Sequence, residues 1–472
     1  MKPLLGLLMV AASGMIVPDA FAAEPQTLQD AWVQAYQNNP SLESERAKLR
    51  ATDEQVNQAL SHWRPSVDIT ANAGKVYQYL PANKPSGTAD FADTSRSYGA
   101  QVTQPIFRGF RTLSETEAAE KQVKAGRAQL QQAEQQLLLD TATAFLDTMR
   151  DETILGLDHN YEDVLQKQLH ETHVRAEIGE LTQTDVQQAE SRLARAEISR
   201  LQTENALTAD RTAFARLVGD SPGTLQKPEF SGDQQQGLDD TLQRAMAQNP
   251  NILATQYAVE ESKAEVDLNK GSLLPEVNLV GSTNRTQGTS FSTPGRFDSS
   301  QIMAQLTIPL YRSGADYSKV RAAQQTTTQR RMELEDTRRR THELAQNAWQ
   351  SLRIAEIAIK ADQVQVDAAM HALEGVREQS KIGTRTILDV LNAEQELLDA
   401  KIDTARAEHD QILALLQIKS AVGDLTADAL KLPVDLYDPK RHYNDVRSSW
   451  LGFGEKDDAY AVHAPAAEHA KD

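Results

Sequence analysis

Cysteine is missing from all 472 residues. Without it the chain can build neither a disulfide framework nor a thiolate metal site, and a mature form cannot carry a lipid on an N-terminal cysteine. Aromatic residues are scarce at 5%, and the mean hydropathy is −0.53. A polytopic helical membrane protein is thereby excluded, because it needs repeated apolar runs of about 20 residues. A basic surplus is also lacking: 67 acidic against 49 basic residues give a net charge of −18. That balance repels phosphate and argues against nucleic acid as a partner. Proline (17) and glycine (23) are modest, and 25% of residues are charged. The chain therefore reads as mostly folded and helix-rich.

The first residues indicate export. Lys2 supplies a positive start, Leu4 to Val17 is apolar with small residues, and Ala20-Phe21-Ala22 forms a small-x-small cleavage site. Residues 1–22 are expected to be a secretory signal peptide that is removed, not part of the fold.

Length alone suggests about three domains, but an internal repeat lowers that count. Leu28-Gln29-Asp30 and Asn39-Pro40 reappear as Leu238-Asp239-Asp240 and Asn249-Pro250, and Pro65-Ser66-Val67 as Pro275-Glu276-Val277, all at an offset of 210. Beyond these the offset becomes 204. Pro105 matches Pro309, Phe107-Arg108 matches Tyr311-Arg312, Ile178-Gly179 matches Ile382-Gly383, Asp185-Val186 matches Asp389-Val390, and Val218-Gly219-Asp220 matches Val422-Gly423-Asp424. The expected organisation is a first repeat over 23–220, a linker over 221–237, a second repeat over 238–432 and a tail over 433–472.

Each half reads helix, strand, strand, long helix, turn, helix. Period-two alternation puts Val67, Ile69, Ala71 and Ala73 on one strand face, and Tyr98, Ala100 and Val102 on one face of the next. In the second half the same pattern runs through Val277, Leu279 and Gly281, then Ile302, Ala304, Leu306 and Ile308. Polar loops at 79–95 and 285–299 separate the strands. The plain alternative is a pair of amphipathic hairpins packed on a soluble core. The strands, about 10–14 residues each, are long enough to cross a bilayer when tilted. Four strands cannot close a membrane barrel, since bacterial barrels begin at eight, and an open edge in lipid leaves backbone groups unsatisfied. Either the hairpins stay in water or several chains pool them; three chains would give twelve strands.

From Phe110 to Ile178 there is no proline and almost no glycine, which predicts one helix of about 100 Å. Shorter helices are predicted from Thr27 to about His62 and from Thr182 to about Val218. Stacked end to end, two short helices match one long one. Val186, Ala189, Leu193 and Ala196, repeated as Val390, Ala393, Leu397 and Ala400, carry coiled-coil spacing. The helical pattern alone is equally that of a soluble antiparallel coiled coil.

The order and duplication of these elements resemble the TolC family of outer-membrane channel-tunnel proteins over residues 27 to about 432. The most specific stretch is Ile382-Gly383-Thr384-Arg385-Thr386-Ile387-Leu388-Asp389-Val390-Leu391-Asn392, with Ile178-Gly179-Glu180-Leu181-Thr182-Gln183-Thr184-Asp185-Val186 as its first-half counterpart. The resemblance implies a mainly α chain with a membrane β-barrel part. Four strands per chain would pool into a 12-stranded barrel in a homotrimer and continue into an α-helical coiled-coil tunnel. It implies an outer-membrane protein in contact with lipid, with a large periplasmic part. Its partners would be a periplasmic adaptor and an inner-membrane transporter, in the exit duct of a tripartite efflux or type I secretion system. No cofactor and no catalytic activity are implied.

The turn residues have two readings. Gly179 and Gly383 suit left-handed helix caps. Thr182-Gln183-Thr184-Asp185 and Thr386-Ile387-Leu388-Asp389 fit capping boxes in which aspartate replaces the usual Glu or Gln. By resemblance, Arg385 would bond Asp185 and Thr184 of a neighbouring subunit and clamp the tunnel shut. Asp389 would join an acidic ring in the tunnel mouth. The tips Ile178, Gly179, Glu180 and Leu181, with Ile382, Gly383 and Thr384, would dock the adaptor. Two positions depart from the family pattern: Ser380 stands where an aromatic is frequent, and Asn392 where a second aspartate can follow. Both imply a weaker or differently tuned closure.

Two other classes fit parts of the sequence. One is an exported coiled-coil structural or adhesion protein without a pore. The other is an enzyme, for which His170-Glu171-Thr172-His173 is the only hint. Its histidines are three apart, whereas the zinc-protease pattern needs four. A solvated pair of His173 with Glu177 outweighs a metal site.

Overall fold

The computed structural model describes residues 26–78, 91–228, 237–288 and 295–452. The expected signal peptide, residues 79–90 and 289–294 of the strand loops, 229–236 of the linker and 453–472 of the tail lie outside the described residues.

The chain begins with α1 (Leu28–Asn38), α2 (Pro40–Ser61), β1 (Ser66–Gln78), β2 (Phe91–Phe107), α3 (Arg111–Glu177) and α4 (Gln183–Val218). These helices have 11, 22, 67 and 36 residues. Next come α5 (Leu238–Gln248), α6 (Pro250–Gly271), β3 (Glu276–Gln287), β4 (Arg296–Thr307), α7 (Ala315–Lys381) and α8 (Ile387–Val422), with helices of the same four lengths. A short α9 (Arg441–Val446) follows.

The helix expected from Thr27 to His62 is in fact two. Asn39 adopts an extended conformation, ψ 119°, between α1 and α2. The cause is local: the ring of Pro40 disfavours α geometry in the residue before it. The break is also put to use. Asn39 donates from Nδ2 to the Leu217 carbonyl at 2.9 Å, and Asn249 donates to the Ala421 carbonyl at the same distance. Each Asn-Pro element thus satisfies a carbonyl in the last turn of a 36-residue helix, where intrahelical donors run out. The strand bounds also shift outward: β2 starts at Phe91, β3 ends at Gln287 and β4 starts at Arg296, so the loops are shorter than expected.

Two compact units divide the chain, one drawn from Met1–Asn39, Leu138–Gln234 and Ser351–Ala414, the other from Pro40–Leu137, Gln235–Gln350 and Leu415–Asp472. We call them the turn unit and the sheet unit. Each takes segments from both halves of the sequence. The turn unit has an apolar core of Tyr161, Leu165, Ala196, Ile387, Leu391 and Leu398. In the sheet unit Val56, Ala59, Ala119 and Val123 cluster between α2 and α3.

The four strands form one antiparallel sheet in the order β1-β2-β3-β4. Val67 pairs with Val102, Ile69 with Ala100, and Ala71 with Tyr98. Val102 pairs with Gly281, and Gly281 in turn with Ile302; Val277 pairs with Leu306. Directly paired residues share a face, so the four apolar sets read from the sequence all lie on one side. That side is uncovered: Ile69 is 83% and Ile302 80% exposed. The opposite face carries Asp68, Thr70, Asn72, Gln101, Ser282 and Gln301. The hairpins are therefore not sealed onto a soluble core, and β1 and β4 are open edges.

At the base of the sheet two backbones nearly touch. Gly109 has φ +63°, and a Cβ on it would collide with the Gly271 carbonyl; a Cβ on Gly271 would meet the Gly109 carbonyl at 2.5 Å. Only glycine fits on either side of this crossing. Gly314, φ +78°, has open space around it. Gly109→Ala is expected to lower the thermal midpoint of the purified protein clearly more than Gly314→Ala, the first costing more than about 1 kcal/mol. Equal shifts in the two variants would show that the crossing is not tight.

Candidate functional site

The candidate site is the pair of helix turns in the turn unit. Both chain reversals follow the same local rules. Two residues past the end of α3, Gly179 has φ +79°, and two past the end of α7, Gly383 has φ +78°. No neighbour crowds either glycine, so the left-handed backbone alone demands glycine there. Glu180 N–H donates back to the Arg175 carbonyl at 2.9 Å, and Thr384 N–H to Gln379 at 3.0 Å. These reverse bonds close the helix ends.

The next helices open on matched capping boxes. Asp185 N–H donates to Thr182 Oγ1 at 3.3 Å, while Thr182 N–H and Oγ1 both donate to Asp185 Oδ2, at 2.9 and 2.7 Å. Thr386 and Asp389 repeat the pattern at 3.2, 3.0 and 2.9 Å. Bonds to Thr182 hold Asp185 below the usual carboxylate range, and bonds to Thr386 do the same for Asp389. Both carboxylates therefore stay ionised well into acid, and the caps weaken only as pH falls through those lowered values. All the received bonds land on Oδ2. Among the described residues Oδ1 of each aspartate accepts no hydrogen bond, so capping leaves one carboxylate oxygen for another donor.

The two turns differ where the sequence differs. Leu181 packs against the core of the turn unit, which contains Ile387 and Leu391. Arg385, at the equivalent position, is exposed and donates from Nε to Gln379 Oε1 at 3.1 Å. Among the described residues it makes no ion pair, and within the chain it reaches neither Asp185 nor Thr184. Thr184 is exposed. Ile178 and Ile382 stand open at 66% and 75% exposure, with Glu180, Gly179, Gly383 and Thr384 exposed beside them.

Sequence reasoning missed the braces behind the turns. Arg377 on α7 pairs with Glu394 on α8. At the offset of 204 the same positions are His173 and Glu190, which lie 3.6 Å apart. The repeat spacing could have exposed this match. It gives His173 a cross-helix partner, Glu190, instead of the same-helix Glu177 first considered. Asn392 accepts from Arg192 Nη2 at 2.8 Å, and Tyr161 donates to Gln395 Oε1 at 3.0 Å.

The turn unit also holds an unexpected charged cluster. His409 is buried, with Asp147 Oδ1 3.0 Å from Nε2 and Asp410 Oδ1 2.9 Å from Nδ1. Arg150 joins Asp147 at 2.6 Å and Asp151 at 2.7 Å, with Asp210 at 3.8 Å. A cavity of about 460 Å³ opens beside Arg150, Asp151, Thr203, Arg406 and His409. Burial opposes charge on His409, but Asp147 and Asp410 outweigh it and raise its pKa. Burial, then the charges of Asp151 and Asp147, push Asp210 up to about 6.

Long helices, and a sheet with one bare apolar face and open edges, are the elements of an outer-membrane channel protein. The chain belongs to the outer membrane efflux protein family, whose model matches residues 31–220 and 241–424. It is 32% identical over 438 residues to the outer membrane efflux protein BepC of Brucella suis, covering 92% of this chain and 94% of that one. It is 26% identical to the outer membrane protein TolC of Vibrio cholerae, covering 90% and 96%. The crystal structure of the Campylobacter jejuni CmeC outer membrane channel superposes with a TM-score of 0.77 at 13% identity, over 94% of this chain and 98% of that one.

The charged cluster makes a signed prediction. Asp210 keeps a proton in the folded state that the unfolded chain has lost, so its stabilising contribution falls as pH rises from about 4 to about 6. The raised pKa of His409 acts in the same sense at higher pH: its contribution is full below about 6.5 and lost as pH rises through the folded value. The thermal midpoint should therefore rise as pH is lowered from 8 to 5. Asp210→Asn should raise it at pH 7 and flatten the acidic part of the profile. A wild-type profile that falls steadily toward pH 5 would refute the assignment.

Proposed function

We propose that three copies of this chain form one channel-tunnel, the outer-membrane exit duct of a tripartite efflux or type I secretion system. The observation that carries this reading is the sheet: open at β1 and β4, apolar on one face, polar on the other. In lipid the unpaired N–H and C=O groups of those edges have no water to bond, each at a cost of several kcal/mol. Pairing β4 of one copy with β1 of the next removes every edge, and three copies give twelve strands. The apolar face then meets lipid and the polar face lines a lumen. The matched helix lengths of the two halves support a duplicated repeat, with the helices continuing the barrel as a coiled-coil tunnel. An exported coiled-coil structural or adhesion protein without a pore would leave the bare face and the open edges without partners, which favours the channel.

The turns would be the periplasmic gate. Arg385 is exposed and, among the described residues, makes no ion pair in its own chain, its charge acting only weakly on Asp389, while Asp185 keeps Oδ1 unused. Their union across a subunit boundary would make a charge-assisted clamp without breaking the α4 cap. Thr184, exposed beside Asp185, would share the contact. Asp389, with its own free Oδ1, would belong to an acidic ring at the mouth that repels anions and can hold cations. Asn392 in place of a second acid would lower the charge of that ring, and its bond to Arg192 would tie the two halves together instead. Ile178, Gly179, Glu180, Leu181, Ile382, Gly383 and Thr384 would present the docking surface for the adaptor, through which the inner-membrane transporter engages. Opening would separate the helix pairs.

A partly exposed clamp pair contributes about 1 kcal/mol, which shifts a closed-to-open ratio about fivefold per pair. Arg385→Ser leaves both caps intact, and Asp185→Asn keeps an acceptor for Thr182 while removing the charge. Both variants are expected to raise single-channel conductance or open probability in planar bilayers. Thr182→Ala, which loses about 1 kcal/mol of capping, tests for nonspecific loosening. No rise in either clamp variant would remove the gate assignment, and a purified protein that is monomeric and non-conducting would remove the channel itself.

A further inference from the structure

The C-terminal tail is fastened to the sheet unit by its aromatic rings. Its described part runs along α2 and α3 of the sheet unit, and three arginines hold its aromatic rings. The Arg46 guanidinium lies 5.2 Å from the Tyr437 ring centre, Arg127 5.0 Å from Tyr443 and Arg64 4.9 Å from Trp450. Between them His442 reaches the buried Asp53 at 3.4 Å, and Arg447 pairs with Glu120 at 2.8 Å. Positions 46, 53 and 64 on one side meet 437, 442 and 450 on the other, so the tail advances in step with α2 toward the sheet.

Its end is fixed at the sheet base. Arg64 Nη1 donates to the Ser449 carbonyl at 2.7 Å, and Nη2 to Asn57 at 2.9 Å. Two residues further, Ser66 begins β1. Trp450 and Leu451 nevertheless face outward, 66% and 95% exposed. The same end of the sheet, where β1 and β3 begin and β2 and β4 finish, also exposes Trp63, Phe110, Leu310 and Tyr311. Tryptophan and tyrosine collect at the headgroup level of membranes, because their rings are apolar with a polar handle. Membrane barrels carry such a girdle at each interface.

We propose that the strap over residues 433–451 is an interfacial anchor, which delivers Trp450 and Leu451 to the phospholipid headgroup layer at the helix-side rim of the sheet. A tail that is not part of either repeat thus completes the girdle beside β1. The inference rests on the sheet being in the membrane, as proposed above.

The absence of native cysteine allows clean single-site labelling. Full-length Leu451→Cys, Ile302→Cys and Arg340→Cys, each carrying a bimane label, would be reconstituted in phosphatidylethanolamine–phosphatidylglycerol vesicles. These vesicles would contain phosphatidylcholine nitroxide-labelled either near the headgroup or deep in the acyl chain. Label 451 is expected to be quenched most by the shallow nitroxide, label 302 by the deep one, and label 340, about 38 Å along α7 from its start, by neither. Adding Arg64→Ala should at least halve the shallow quenching at 451. Quenching at 302 with none at 451, or cross-linking of residue 451 to a neighbouring copy, would overturn the anchor and leave the channel standing. No quenching at either 302 or 451 would overturn both.

Discussion

The unpaired backbone of β1 and β4 is the constraint on which the rest of the structure turns. Among the described residues one copy of the chain makes four strands and presents a bare apolar face beside two open edges. Water could satisfy the edges but not the face; lipid could cover the face but not the edges. Pairing with further copies, as proposed, would answer both demands at once. The tight glycine crossing of Gly109 and Gly271 belongs to the same problem, since it holds the strand ends of the two halves close enough for β2 and β3 to pair.

At the turns, structure and function share atoms. Capping alone accounts for both aspartates, and the hydrogen bonds show it operating in α4 and α8 alike. Yet capping uses one oxygen of each carboxylate. The exposed side of Asp185 and the exposed guanidinium of Arg385 leave room for a second, weaker bond that can be made and broken while the helix starts stay intact. The proposed gate, built on such bonds, would be breakable because each would be exposed and screened. The cluster around the buried His409 is different in kind: burial and neighbouring charge displace the pKa values of His409 and Asp210, so it responds to protons.

Much of this was legible in the chain. The alternating strands, the proline-free helices and the two glycine turns follow from neighbours a few residues apart. The Asn-Pro elements were visible as a repeat but not as helix breaks, because the pattern of apolar residues continues across Asn39. Likewise the match of Arg377–Glu394 to His173–Glu190 lay within reach of the repeat offset. The Arg64–Trp450 contact did not, since nothing in the tail repeats and its partners lie almost 400 residues away.

Local chemistry in the sequence determined which segments are helix or strand, where each reverses, and that Arg385 has no twin in the first half. Tertiary structure alone decided that four separate alternations fall on one face, that β2 meets β3, and that the tail ends at the sheet base. The physical reason is the reach of the interactions. Periodicity and left-handed caps are set by adjacent residues, whereas register and ring stacking require groups distant in the chain to arrive at one place, and no local pattern encodes their partner.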